Sequence, residues 1–291
     1  MRDHAILVLY YNKIRLTGNC LESIFQAGYP AQHVYCFDNG SRPEIFEEMK
    51  QEFPLCNHRR IEKNSGFSGG FNRALDWVFS CGTSTVLFCT NDTKVYAGAL
   101  EACIQTARET GTGMVAPCVI YLSSEAKDKE AIDSIGGWFD AKTCTLNHYQ
   151  NRGLPDILDP EKDYIPGTAL WIHKDYFYEL GGTDESFHMY WEDVDMCFRA
   201  HRKKLPLARC YKAKIAHGVG QTVRKKPLYT TYYFLRNRIR FCKRYLKGER
   251  LHRALELLEK EFHKLGEGWQ EKGDRKRLNY LDQLMAELKG T

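Results

Sequence analysis

Short apolar runs recur at residues 5–10, 34–37, 85–89 and 114–121, and segments with helical spacing of apolar residues separate them. A chain that alternates buried strands with amphipathic helices has few solutions other than a mainly parallel sheet with helices on its faces. The first run leads into a helix carrying Leu21, Ile24 and Phe25, closed by Gly28. Ser41 and Glu44 have capping-box spacing and predict a helix start ahead of Ile45, Phe46 and Met49. A strand at residues 60–62, a helix with Phe71, Ala74, Leu75 and Val78, and a helix at residues 97–108 complete the pattern. Residues 1–122 therefore read as a nucleotide-binding type of half-domain.

Beyond residue 122 the alternation is lost. Residues 123–129 are polar and read as a loop, 165–172 as a strand, 192–201 as a helix and 207–215 as a strand. Residues 123–226 thus form a mixed second half, and 1–226 one α/β domain. Residues 227–291 have helical spacing, with one stripe of Leu251, Leu255, Leu258, Phe262 and Leu265 and another of Leu278, Leu281, Leu284 or Met285, and Leu288. This C-terminal helical region is expected to break at Gly266-Glu267-Gly268, and its first stripe to pack against the domain or a second copy of the chain.

No apolar run approaches the roughly 18 residues of a membrane span, and the run near Met1, preceded by Asp3 and His4, reads as a buried strand. The eleven cysteines are odd in number and scattered through apolar segments, without a CxxC or HExxH pattern. Reduced core thiols in a cytoplasmic protein are expected, with no structural zinc. The sequon Asn91-Asp92-Thr93 has no meaning in that compartment. The net charge of +5 hides an asymmetry: residues 199–250 hold seventeen Lys and Arg against the single acid Glu249, a net +16 that leaves −11 elsewhere. Such a block points to an anionic partner, whether a nucleoside diphosphate, a phospholipid surface or a nucleic acid, or else to a solvated basic face.

Ligands of open α/β sheets bind beyond the carboxyl ends of the strands. Four segments there carry chemistry. Asp38-Asn39-Gly40-Ser41 offers a carboxylate that suits the imide N–H of uracil or thymine, or a turn that caps the next helix. Asn64-Ser65-Gly66-Phe67-Ser68-Gly69-Gly70-Phe71-Asn72 puts three glycines ahead of a helix, with N–H groups expected to face an anion. Gly111-Thr112-Gly113 precedes a strand and reads as a turn. Asn91-Asp92 follows a strand and offers either a cation ligand or a cap. Trp191-Glu192-Asp193-Val194-Asp195 gathers three acids at a helix start, where Asp195 pairs with Arg199 at i,i+4 and leaves another acid for the cleft.

In this order, Asp38-Asn39-Gly40-Ser41, Asn64-x-Gly66-Phe67-x-x-Gly70-x-Asn72, Asn91-Asp92, Pro166-Gly167-Thr168-Ala169, Gly181-Gly182-x-Asp184-Glu185, Trp191-Glu192-Asp193-x-Asp195 and His217 resemble the inverting GT-A glycosyltransferases of the family 2 type. That family includes bacterial rhamnosyl- and galactofuranosyltransferases, and the resemblance spans residues 5–241. It implies a GT-A fold and a nucleotide-sugar site at Asp38, Asn39, Asn64, Gly66, Phe67, Gly70, Asn91 and Arg236, with Asp38 on the base. Asp92 and His217 become ligands of a divalent cation, Mn2+ or Mg2+, and Asp193 the general base, with Glu192 its rival. One departure is that Thr90 stands where many relatives carry the first acid of Asp-x-Asp, so the cation relies on Asp92, His217 and diphosphate oxygens. Arg236 serves the diphosphate or the acceptor, or forms a structural salt bridge.

The implied reaction moves a hexose, from dTDP-rhamnose or a UDP-hexose, to a saccharide or lipid-linked saccharide hydroxyl with inversion, at the inner face of a bacterial membrane. Two competitors weaken on inspection. A nucleotidyltransferase needs a glycine-rich, basic loop after its first strand, and Tyr10-Tyr11-Asn12-Lys13 contains no glycine. A basic nucleic-acid binder using Tyr232, Tyr233, Phe234 and Tyr245 leaves the carboxylate and glycine motifs without a purpose, so no nucleic acid is expected as partner.

Overall fold

The structure, a computed structural model, describes residues 3–122, 131–218 and 228–290. Its first half is the alternating unit: β1 (His4–Tyr10), α1 (Ile14–Gln26), β2 (Val34–Asp38), α2 (Pro43–Glu52), β3 (Asn57–Arg60), α3 (Gly66–Ser80), β4 (Thr85–Thr90), β5 (Thr93–Val95), α4 (Ala99–Thr110) and β6 (Met114–Tyr121). The second half adds β7 (Ile132–Ser134), β8 (Gly137–Asp140), β9 (Thr145–His148), β10 (Asp163–Tyr164), β11 (Ala169–His173), α5 (Lys174–Leu180), α6 (Glu192–Arg202) and β12 (Ala208–His217). Three helices follow, α7 (Leu228–Tyr245), α8 (Gly248–Glu271) and α9 (Arg275–Lys289).

The main sheet runs β3-β2-β1-β4-β11-β6-β12-β5, with β7 pairing β6, and β8, β9 and β10 form a small second sheet. β1 pairs in parallel with β2 and β4, as β6 does with β12, while β11 lies antiparallel between β4 and β6. Alternate residues of β1 serve opposite cores: Ala5, Leu7 and Leu9 pack with α3 and α6, whereas Ile6, Val8 and Tyr10 pack with α1, α2 and α4. Strands covered on both faces explain why their sequences read as continuous apolar runs.

Five local expectations fail. The Ser41–Glu44 capping box does not form, because Ser41 is already engaged: its Oγ accepts from the Asn12 N–H (2.6 Å) and its N–H donates to Asp38 Oδ1 (2.8 Å). α2 opens instead on Pro43, whose missing N–H costs nothing in the first turn. The strand expected at 60–62 lies at Asn57–Arg60, and that expected at 165–172 shortens to Ala169–His173 as Ile165–Thr168 turns toward α6. The three glycines sit inside the first turns of α3, not ahead of it. The break at Gly266-Glu267-Gly268 is absent: α8 runs through it, because a Cβ on Gly266 would lie 2.6 Å from Leu281 Cδ2, and the missing side chain is what admits α9. The chain turns at Gly273.

α7, α8 and α9 share one core with the sheet, through Leu235, Ile239, Phe241, Leu258, Phe262, Leu284 and Leu288. The leucine stripe thus covers the domain itself. Residues 226 and 227, where the helical region was expected to begin, and the loop expected at 123–129 lie outside the described residues. Much of the basic block is paired internally. Arg238 bonds both oxygens of Glu261 (2.9 Å each) and the Cys144 and Thr143 carbonyls, Arg240 pairs with Glu287 (2.8 Å), and Arg209 with Asp163 (2.7 Å). None of the eleven cysteines is in a disulfide. Among the described residues no helix is long and apolar enough to cross a membrane.

Candidate active site

Three carboxylate-bearing corners meet at the carboxyl ends of the strands, and direct contacts join them. Gly167 is the junction: its N–H donates to Asp193 Oδ2 (2.8 Å), it packs against the Phe67 ring, and the carbonyl of its neighbour Thr168 accepts the Thr90 N–H (3.0 Å). A second bridge runs from Gly66 to His188, where the Ser68 N–H donates to the His188 carbonyl (3.1 Å).

The first corner ends β2. Asp38 is fully buried; its Oδ1 takes the Ser41 N–H, while Oδ2 lacks a hydrogen-bond partner and lies 3.5 Å from Arg60 Nε. Burial raises its carboxyl above the usual range, against the opposing pull of Ser41 and Arg60. Asn39 commits its amide to the glycine loop, donating to the Gly66 carbonyl (2.8 Å) and accepting from Ser65 N–H and Oγ (3.2 and 2.9 Å). Gly70 is glycine because a Cβ there would lie 2.6 Å from Asn39 Nδ2. The Gly66 N–H is taken by Asn64 Oδ1 (2.8 Å). The N–H groups of Ser65, Gly66 and Ser68, expected to face an anion, are therefore bonded within the protein. Phe67 stacks with Phe71 and meets Phe88 edge-on.

The second corner joins β4 to β12. Asp92 Oδ1 accepts from the Thr90 hydroxyl (2.7 Å), so the residue that departs from Asp-x-Asp orients its partner acid. Asp92 Oδ2 lies 3.4 Å from His217 Nε2, and His217 Nδ1 lies 3.4 Å from Asp133 Oδ2. Burial works against the charge of His217, yet the two carboxylates outweigh it and push its pKa up to about 9. Burial likewise opposes ionisation of Asp92, but His217 and Thr90 hold it below its usual value. Adjacent ligands of an octahedral ion at about 2.0–2.1 Å lie about 3 Å apart, so Asp92 Oδ2 and His217 Nε2 fit one cation with a small closure. Among the described residues no group of three or more His, Cys, Asp or Glu has metal-holding geometry. Asp92 and His217 are two donors, fewer than the full coordination sphere of such a cation. Asn91 faces away from this pair and donates to Thr17 Oγ1 of α1 (3.0 Å).

The third corner starts α6. Asp193 is half-buried, with Oδ2 on the Gly167 N–H and Oδ1 on the Val194 N–H (2.8 Å each). Burial raises its carboxyl and these two N–H groups oppose the rise. Glu192 is 4% exposed, with Oε2 lacking a hydrogen-bond partner. Burial first, then the charge of Asp193, hold its carboxyl well above the usual range. Asp195 is fully buried and structural, bound to Arg199 (2.8 Å), Arg244 (2.7 Å) and the Tyr245 hydroxyl (2.8 Å). The backbone leading in is strained: His188, Tyr190 and Trp191 have φ of 64°, 66° and 74°.

Half-buried Arg236 forms no ion pair with an acid among the described residues. Its guanidinium donates to the Ser186 and Phe187 carbonyls (2.8 and 3.1 Å) and lies over the Tyr233 ring. Two residues escaped sequence reasoning. Asp133 sits between Ile132 and Ser134, an acid in a short apolar run, and that was its only signal. Asn237, fully buried in α7, donates to the carbonyls of Phe187, Met189 and Tyr190 (2.7, 2.8 and 2.9 Å).

The profile described as glycosyl transferase family 2 matches residues 5–181. The low-salt glycan biosynthesis hexosyltransferase Agl10 of Haloferax volcanii is 33% identical over 215 residues, 69% of this chain, which spans 64% of that relative's length. Among solved structures, GalNAc-T7 with UDP, GalNAc and Mn2+ superposes with a TM-score of 0.61 at 13% identity, covering 82% of this chain and 47% of the other. A mannosyltransferase from Pyrobaculum calidifontis in complex with GDP-Man and Mn2+ gives 0.57 at 14% identity, covering 98% and 85%. TarS from S. aureus gives 0.56 at 14%, covering 98% and 80%.

Proposed function

We propose, since the chain belongs to glycosyl transferase family 2 and has the GT-A fold, that it is an inverting hexosyltransferase using a nucleoside-diphosphate sugar. The observation that carries this reading is the junction at Gly167 and Thr168, where the proposed base and the nucleotide loop meet Gly167 and the strand leading to Asp92 bonds the neighbouring Thr168 carbonyl. Asp38 Oδ2, which has no hydrogen-bond partner among the described residues and lies 3.5 Å from Arg60 Nε, accepts the imide N–H of a uracil or thymine base. Asp92 and His217 would hold a divalent cation, which would supply positive charge to the diphosphate leaving group. Asp193 takes the proton of the acceptor hydroxyl as its oxygen bonds to the anomeric carbon and the bond from that carbon to the diphosphate breaks. Both oxygens of Asp193 hold a backbone N–H, which aims the carboxylate and leaves each a second lone pair.

The donor is a UDP-hexose or dTDP-rhamnose, and the acceptor a saccharide or lipid-linked saccharide in glycan assembly; the relative's role in glycan biosynthesis supports this class. Work at the cytoplasmic face of the membrane is in keeping with lysines that remain exposed, such as Lys204, Lys212 and Lys247. A thermal-shift screen of nucleotide sugars with and without Mn2+, followed by nucleotide release in the presence of acceptor, tests the proposal. Stabilisation by a UDP- or dTDP-sugar that requires Mn2+ is expected. Stabilisation by nucleoside triphosphates alone would point to nucleotidyl transfer instead.

A further inference from the structure

Resting on the reading of Asp92 and His217 as cation ligands, we infer that Asp133 is a positioning residue that fixes the His217 imidazole for that ion. β7 and β12 pair with β6 at the same residues, 119 and 120, and therefore lie on its two edges. Asp133, in the middle of β7, reaches His217 across the end of β6. A carboxylate only 9% exposed needs partners, and among the described residues Asp133 meets His217 Nδ1 at 3.4 Å and the Tyr121 phenol. Tyr121 Oη in turn accepts from Gln150 Nε2 (3.0 Å), so the carboxylate is itself held in place.

The geometry separates a positioning role from that of a third ligand. The two nitrogens of an imidazole point away from each other, so a group bonded to Nδ1 cannot share an ion held on Nε2. With its proton on Nδ1 and donated to Asp133, His217 turns the Nε2 lone pair toward Asp92 Oδ2, the 3.4 Å gap that suits one cation. The other tautomer aims an N–H at the ion and a lone pair at a carboxylate, and both contacts are repulsive. A carboxylate on the distal nitrogen of a metal-bound histidine fixes tautomer and ring orientation in this manner.

The test measures Mn2+ affinity by calorimetry, in the presence of UDP or dTDP, whichever the unaltered protein binds more tightly. Asp133→Ala is expected to weaken Mn2+ binding about 10–100-fold, and Asp133→Asn, which keeps an acceptor for the Nδ1 proton, about threefold or more. Both should bind the nucleoside diphosphate normally in EDTA, a result that a merely structural collapse would not give. Should the alanine variant fail to fold, the asparagine variant decides. If His217→Ala loses Mn2+ affinity while the Asp133 variants stay within about twofold of the unaltered protein, the inference is overturned and the ligand reading stands. If His217→Ala also binds Mn2+ normally, the ligand reading falls and takes the inference with it.

Discussion

The corner around Asp38 and the corner around Asp193 each bring a carboxylate to the rim of the same sheet, yet they are held by different means. Asp38 ends a regular parallel strand and is fixed by the N–H of Ser41, three residues on. The left-handed residues nearby, Asn12 and Lys13, precede α1 on the surface, and Asn tolerates that conformation well. Asp193 follows bulky residues in the same region of φ, Tyr190 and Trp191, where each such residue costs about 1–3 kcal/mol. What offsets that strain is remote in sequence: Asn237 holds three carbonyls of the turn, and Arg236 and Arg240 hold the Ser186 carbonyl. A carboxylate set in regular structure is secured by its neighbours in sequence. One presented from strained backbone depends on a helix more than forty residues away, which makes α7 part of the site.

The largest effect is expected where the comparison is sharpest. Asp193→Asn should lower turnover about 10²–10⁴-fold, the usual contribution of a general base, with donor affinity by calorimetry nearly unchanged. The amide keeps the size of the side chain and loses the proton acceptor. Retained turnover would remove Asp193 from the chemistry and leave its strained approach without a purpose. Gly66→Ala strikes where the two corners touch: its Cβ would lie 2.3 Å from His188 Nδ1, at a φ of +75°. A destabilisation of about 3 kcal/mol in urea unfolding is expected, from overpacking and a disfavoured conformation together. An unchanged midpoint would show that the corners do not touch in solution.

A smaller effect separates the two supports. Asn237→Ala leaves the turn carbonyls short of a donor, at about 2 kcal/mol of stability, and should lower turnover while donor affinity holds. Asn39→Ala, on the opposite corner, should do the reverse, because Asn39 holds Ser65 and Gly66. Identical kinetic signatures from both variants would mean that the corners are one mechanical unit.

The same contrast governs how much could be read from the sequence. The first half was legible because its strands are buried on both faces and its helices carry one apolar stripe, so that period and composition report the structure directly. Asp38, Asp92, Asp193 and His217 stood out because they follow strands or open a helix. The pairing of Asp195 with Arg199 was legible too, since i,i+4 spacing on a helix is local. The fate of the glycine loop was not, because the N–H groups of Ser65 and Ser68 are taken by Asn39 and His188, which come from other elements. Nor was the role of Arg236, whose partners remote in sequence, the Ser186 and Phe187 carbonyls, are backbone groups and carry no signature of residue type. The charge count of the basic block likewise concealed pairs with acids distant in sequence, as Arg238 with Glu261 and Arg240 with Glu287.

The smallest effect on turnover is expected at Glu192, and it decides which of two adjacent acids is the base. Glu192 is buried without a partner for Oε2, and its carboxyl titrates well above its ordinary value of 4.5. The native chain then retains this proton across a range of pH in which the unfolded chain has released it. Because the native state binds more protons there, stability falls as pH rises above 4.5, by up to about 1.4 kcal/mol per pH unit, until the buried group itself ionises. Glu192→Gln removes the titration from both states while keeping shape and neutrality. Unfolding curves of variant and unaltered protein should therefore coincide near pH 4 and separate in favour of the variant as pH rises, with turnover within about threefold throughout, since a neutral acid takes no proton from the acceptor. Parallel stability curves would mean that Glu192 is ionised in the native state. An inactive Glu192→Gln beside an active Asp193→Asn would exchange the two roles, and the strained turn would then serve to present Glu192.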